Sequence, residues 1–130
     1  MTFSEWVLWE DRPSERSPGV YLLPHFDTPP SGPADPQTQE IVYIGETCRR
    51  LVGRWSDFDG AAFQGKGGHS GGTTYREKFG DACKKKLYVA AFPVDHLDKD
   101  IRPMFIRYVE RKLIWEYTQT FERLPTCNRK

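Results

Sequence analysis

Two tyrosines, a pair of arginines and one glutamate have the types and places that could do chemistry. Tyr21 and Tyr43 stand near the ends of two short runs, Gly19-Val20-Tyr21-Leu22-Leu23 and Glu40-Ile41-Val42-Tyr43-Ile44-Gly45. Runs rich in β-branched and aromatic residues and closed off by turn formers read as strands. Between them Pro24, Pro29, Pro30, Pro33 and Pro36 remove backbone donors and fix φ, so the strands form a hairpin around a loop. Antiparallel pairing brings Tyr21 and Tyr43 onto neighbouring ground, which suits core or interface aromatics as well as a site. Arg50 and Arg54 are four apart on the next helix and share a face, an ordinary solvated surface or an anion clamp beside the tyrosines. Glu110 follows Val109 at the border of an apolar stripe, where a carboxylate can point into a cleft while its helix packs; most glutamates on such helices are simply solvated.

The elements that must position these groups follow from local patterns. Leu51, Trp55 and Phe58 recur at helical spacing, with Thr47 as N-cap. Residues 59–74 hold Gly60, Gly65, Gly67, Gly68, Gly71 and Gly72 and read as a loop, either a flexible surface segment or one that sets backbone N–H groups against an anion. This loop carries Lys66 and is followed by Tyr75 and Arg76, three candidates for contact with a substrate, and it carries His69, a candidate for the chemistry itself. It has neither the Walker A pattern nor the third glycine of a dinucleotide fingerprint. Tyr75 to Cys83 reads as a short helix. Lys84-Lys85-Lys86, a solvated edge or a phosphate contact, leads into a third strand over residues 87–94. The clearest helix runs from Met104 to about Thr120, apolar at 105, 106, 109, 113 and 117. Residues 3–9 read as a short helix or strand that packs Trp6 and Trp9 on the main sheet.

Composition bounds the rest. A chain of 130 residues makes one domain, 1–130, with a core over 19–128 and an N-terminal extension over 1–18. A net charge of +1 means that affinity for nucleic acid must come from local patches. Cys48, Cys83 and Cys127 form no Cys-x-x-Cys pair, so neither a structural zinc site nor a disulfide framework is expected. Free thiols, the absence of a signal-peptide pattern and the absence of a long apolar stretch point to a cytoplasmic protein without a membrane partner.

Together these pieces resemble the GIY-YIG nuclease family. Gly19-Val20-Tyr21 is similar to its first signature with valine for isoleucine, and Tyr43-Ile44-Gly45 is the second unchanged. Arg54, eleven residues past Tyr43, stands at the place of the family's helical arginine. Glu110-Arg111-Lys112-Leu113-Ile114 is similar to its Glu-x-x-Leu-Ile, and Pro125-Thr126-Cys127-Asn128 to its closing Pro-x-x-Asn. The resemblance spans residues 19–128. It implies an α/β fold of the α+β kind, a small three-stranded antiparallel sheet flanked by helices.

By the same resemblance the chain is a metal-dependent endonuclease acting on DNA, with RNA left open and a homodimer compatible. Glu110 would hold Mg²⁺ or Mn²⁺, one divalent cation, with Glu116 as the runner-up. Arg54 and Arg50 would clamp the scissile phosphate, since a guanidinium matches phosphate geometry. Tyr21 and Tyr43 would position the water, one of them taking its proton if the metal and the arginines lower its pKa. Asn128 would steady the site through the sheet. Family members often carry His or Tyr one helical turn after the arginine; here that residue is Phe58, and His69 or Tyr75 would supply the missing group. His25 reads as a surface histidine of the hairpin loop. A catalytically silent nucleic-acid-binding domain and a protein-interaction module on the same fold are the alternatives.

Overall fold

Strand β2 (Gly19–Pro24) and strand β3 (Ile41–Thr47) form the expected hairpin, with Tyr21 opposite Gly45 and Leu23 opposite Tyr43. In the computed structural model, which describes residues 1–129, β4 (Tyr88–Pro93) pairs with the other side of β2. The sheet has four strands rather than three. Val7–Leu8, here β1, pairs with β4 through Val7↔Val89 and Leu8↔Tyr88, which gives the antiparallel order β1-β4-β2-β3. The N-terminal residues are therefore part of the fold: Trp9 is buried, donates from Nε1 to Asp59 Oδ1 at 2.8 Å, and packs edge-on against Trp55 and Phe58.

Alternation along the strands divides the apolar residues between two faces. Val20, Leu22, Ile44 and Ala90 meet the stripe of Ile106, Val109, Leu113 and Tyr117 on α3 (Arg102–Phe121). Tyr21, Leu23, Val89 and Ala91 meet Leu51, Trp55, Phe58 and Tyr75 from α1 (Leu51–Gln64) and α2 (Ser70–Phe79). Pro103 lies in the first turn of α3, where its missing N–H costs nothing.

Two local expectations fail for tertiary reasons. Thr47 is not the cap of α1; it ends β3, pairing with Gly19, and its Oγ1 accepts from the Arg49 N–H at 3.1 Å. The first N–H groups of α1 are satisfied instead by the chain before β2: those of Leu51 and Val52 donate to the carbonyls of Ser17 and Glu15 at 2.9 and 2.8 Å. The glycine-rich stretch is mostly helix, since α1 runs to Gln64 and α2 starts at Ser70. Gly72 is there for close approach: a Cβ on it would stand 2.8 Å from the Ala61 Cβ and 3.0 Å from the Phe58 carbonyl oxygen. Contact between the two helices outweighs the poor helix propensity of glycine. The helix read over 75–83 is α2, shifted toward the N-terminus, and Lys84–Lys86 form a 3₁₀ turn before β4.

Candidate active site

Tyr21 and Tyr43 project from adjacent strands onto the face covered by α1 and α2, with ring centroids 6.0 Å apart. Gly45 makes this possible. A Cβ there would lie 2.5 Å from both the Tyr21 Cζ and the Tyr43 Cε2, so both rings occupy the space of its absent side chain. Gly71, in the first turn of α2, likewise leaves room for the other side of the Tyr43 ring, which any Cβ would overlap. The Tyr43 ring is thus clasped between β3 and α2 and remains partly exposed, whereas Tyr21 is wholly buried.

His69 arrives from the N-cap of α2. Its Nδ1 accepts the Gly72 N–H at 3.0 Å, and its Nε2 lies 2.8 Å from the Tyr21 hydroxyl oxygen. A ring nitrogen that accepts carries no proton, so the neutral tautomer has its hydrogen on Nε2 and donates to Tyr21. Burial, reinforced by the Arg54 charge, pushes the histidine down to about 3, so the ring is neutral near pH 7. Both nitrogens are then engaged, and neither has a lone pair for a water proton. His69 is thus brought next to the tyrosines, with its Nε2 side bonded to Tyr21.

Arg54, on α1, donates from Nη1 to the Gly68 carbonyl at 3.0 Å and lies 3.8 Å from Asp57. The charge of its guanidinium also acts on both Tyr21 and Tyr43. These contacts draw both phenols downward, yet burial dominates. Tyr21 is held well above its usual pKa, and Tyr43 is pushed up to about 12 by burial with help from Glu110 and Glu46. Without a cation both are neutral hydroxyls near pH 7.

Beside Arg54 opens a cleft of about 680 Å³ lined by Glu46, Arg49, Arg50, Arg54, Asp57 and Arg107 among others. Glu110 belongs to α3, on the opposite face of the sheet, with its side chain 18% exposed. Burial and then the Glu46 charge raise its pKa to about 7, against a lowering pull from Arg111 at 4.0 Å. Glu46 is the residue that sequence reasoning passed over. Its signal was available: it sits two residues past buried Ile44 and opposite buried Val20, on the α3 face, where alternation calls for an apolar side chain. Glu110 is half-buried and repelled by a like charge, an environment that a cation would relieve. No group of three or more His, Cys, Asp or Glu suited to a metal occurs among the described residues. Glu110 and Glu46 are carboxylates, hard oxygen donors that would suit an ion otherwise held by water and phosphate oxygens, as Mg²⁺ is.

Asn128 completes the hairpin edge. Its Oδ1 accepts the Ile44 N–H and its Nδ2 donates to the Ile44 carbonyl, both at 2.9 Å. Strand β3 ends the sheet, so those backbone groups have no strand partner, and one side-chain amide serves as one. The Cys127 N–H donates to the Val42 carbonyl at 2.7 Å, extending the same edge.

Other candidates stand elsewhere. Tyr75 is wholly buried, bonded through its hydroxyl to His25 Nε2 at 2.7 Å, so it offers no surface to a substrate. That bond also makes His25 a half-buried packing residue and not a surface one. The aliphatic stem of Lys66 packs over Gly60, and Arg76 donates from Nη1 to the Ala62 carbonyl at 3.3 Å near the end of α1; neither lines the cleft. Glu116 pairs with Lys112 at 3.7 Å. Compared with known proteins, the chain matches no family model, no curated protein and no solved structure.

Proposed function

We propose that the chain is a metal-dependent endonuclease of the GIY-YIG type, hydrolysing phosphodiester bonds in DNA. One observation carries the reading: two tyrosines packed on one glycine, both within reach of the Arg54 charge, with the Glu110 charge also felt by Tyr43. A folded core asks neither for an arginine charge beside a wholly buried tyrosine nor for a half-buried carboxylate on the helix behind the same hairpin.

In this reading each side chain has a role set by its surroundings. Arg54 offers its charge to the scissile phosphate, where negative charge grows in the transition state, and Arg50 holds the strand at the mouth of the cleft. Tyr43 is the phenol with an exposed edge. As a neutral hydroxyl it orients the attacking water by hydrogen bonding. The Tyr21 oxygen takes a hydrogen bond from His69, and its ring packs against Tyr43, holding that phenol in place. Glu110 would hold the divalent cation, which when bound supplies charge neutralisation and a more acidic water. Asn128 fixes the backbone at Ile44, one residue from Tyr43.

The test is nicking of supercoiled plasmid and of branched DNA in Mg²⁺, Mn²⁺ or EDTA, for wild type, Glu110→Ala and Arg54→Ala. Metal-dependent cleavage reduced at least about 100-fold in both variants is expected. Cleavage that survives Glu110→Ala would overturn the site. Salt-sensitive binding with no cleavage of any substrate would leave the silent binding domain as the function.

A further inference from the structure

The large hydrophobic side chains that the fold leaves exposed are concentrated on α3. Tyr108 is 58% exposed, Trp115 64% and Met104 69%, and Ile101 precedes the first turn. At roughly 100° per residue, passing round α3 from Glu110 meets Arg107, then Arg111, then Met104, Trp115 and Tyr108. The aromatic face therefore begins where the arginine cleft ends. Arg107 belongs to both, lining the cleft with Arg49 and Arg50 from the turn after β3. These three arginines have no carboxylate partner among the described residues, whereas Lys112 is tied to Glu116.

We infer that this outer face of α3 is a stacking platform for an unpaired nucleic-acid strand, with Tyr108 and Trp115 each taking a base and Arg107, Arg49 and Arg50 holding the phosphates. The inference rests on the nuclease reading of the adjoining cleft and narrows its substrate to nucleic acid with unpaired bases. Tyr108 and Trp115 are two turns apart, roughly 10 Å along the axis, too far to share one base. Aromatic rings interleaved with cations suit a polyanion whose bases are free to stack; a duplex keeps its base faces covered. Charge also argues against a second copy of this chain as the occupant. A second copy laid on this face would bring two sets of Arg49, Arg50 and Arg107 close together, none of them paired with a carboxylate among the described residues.

The experiment is fluorescence anisotropy in EDTA, so that binding is read without cleavage, using labelled twenty-nucleotide oligo-dT and a twenty-base-pair duplex. Wild type should prefer oligo-dT. Tyr108→Ala and Trp115→Ala should each weaken it by about 5-fold to more than 100-fold, with duplex binding nearly unchanged. Tyr108→Phe and Trp115→Phe, which keep an aromatic face, should retain most of the affinity. Arg107→Ala should weaken both ligands and flatten the dependence of oligo-dT affinity on log salt by about 0.7, a change that the aromatic variants do not share. Oligo-dT should also quench the tryptophan emission of wild type more than that of Trp115→Phe, since Trp9 and Trp55 are buried and Trp6 is partly buried. Unchanged oligo-dT affinity in the double alanine variant overturns the platform, while the nuclease reading stands if wild type still nicks plasmid. The same double variant dissociating a dimer in sedimentation, with oligo-dT affinity intact, would assign the face to self-association. A wild type that neither binds nor cuts any nucleic acid removes both readings.

Discussion

Two tyrosine–histidine hydrogen bonds are built into the same face of the sheet, and they differ in what surrounds them. Tyr21 and His69 meet at 2.8 Å beside Arg54 and Tyr43. Tyr75 and His25 meet at 2.7 Å among Phe58, Phe63 and Phe79. In both pairs burial favours the neutral forms: His69 is pushed down to about 3 and His25 to about 4, and both tyrosines are raised. A buried, bonded, shifted pair is therefore a packing solution available anywhere in this core. What distinguishes the first is an unburied guanidinium, a second tyrosine with an exposed edge, and a cleft.

The sharpest way to break that comparison is to remove the guanidinium. Arg54→Ala should cost about 100- to 1,000-fold in cleavage while leaving the melting temperature within a few degrees, because the side chain is 30% exposed. A loss of folding in step with activity would make Arg54 structural. Next come the two hydroxyl deletions. Tyr21→Phe strands the His69 N–H in a buried place and Tyr75→Phe deprives His25, each costing about 1–3 kcal/mol in urea unfolding. Only Tyr21→Phe should reduce cleavage beyond its share of unfolded protein; equal activity losses would erase the distinction between the pairs.

A third contrast concerns the glycines that looked alike as residue types. Gly71→Ala drives a methyl group into the Tyr43 ring and should destabilise by about 1–3 kcal/mol, with a drop in cleavage. At Gly67 nothing lies within 4 Å of an added Cβ, so Gly67→Ala should change stability by no more than about 0.5 kcal/mol. A further contrast lies in pH dependence. Both histidines have folded pKa values below the unfolded value of about 6.5, so the unfolded chain binds more protons in between. Stability should rise with pH across that interval and be lost as pH falls from about 6.5 towards about 4 for His25 and about 3 for His69. His25→Gln should flatten the slope between pH 6 and 4 in denaturant midpoints, and an unaltered slope would refute the assigned shift.

Local pattern was enough for β2, β3, β4 and α3, because period-two and period-3.6 apolar spacing can be read from neighbouring residues. It was enough to bring Tyr21 near Tyr43, since a hairpin fixes which residues face each other. It was not enough for β1, whose two residues are too few to alternate and which pairs only because β4 offers an edge 80 to 82 positions away in sequence. Nor could it find the helix through Gly71 and Gly72, where glycine's poor local preference yields to contact with Ala61 and Tyr43.

The chemistry divides in the same way. Residue types and order alone determined which groups were available: Tyr21, Tyr43, Arg54, Glu110 and Asn128. Only the tertiary structure decided their states. His69 orients Tyr21 because the N–H of Gly72 occupies its other nitrogen, and Glu110 is raised because it is buried within reach of Glu46, 64 positions earlier. Proton positions and carboxylate coupling depend on desolvation and through-space charge, and those exist only once distant segments have packed together.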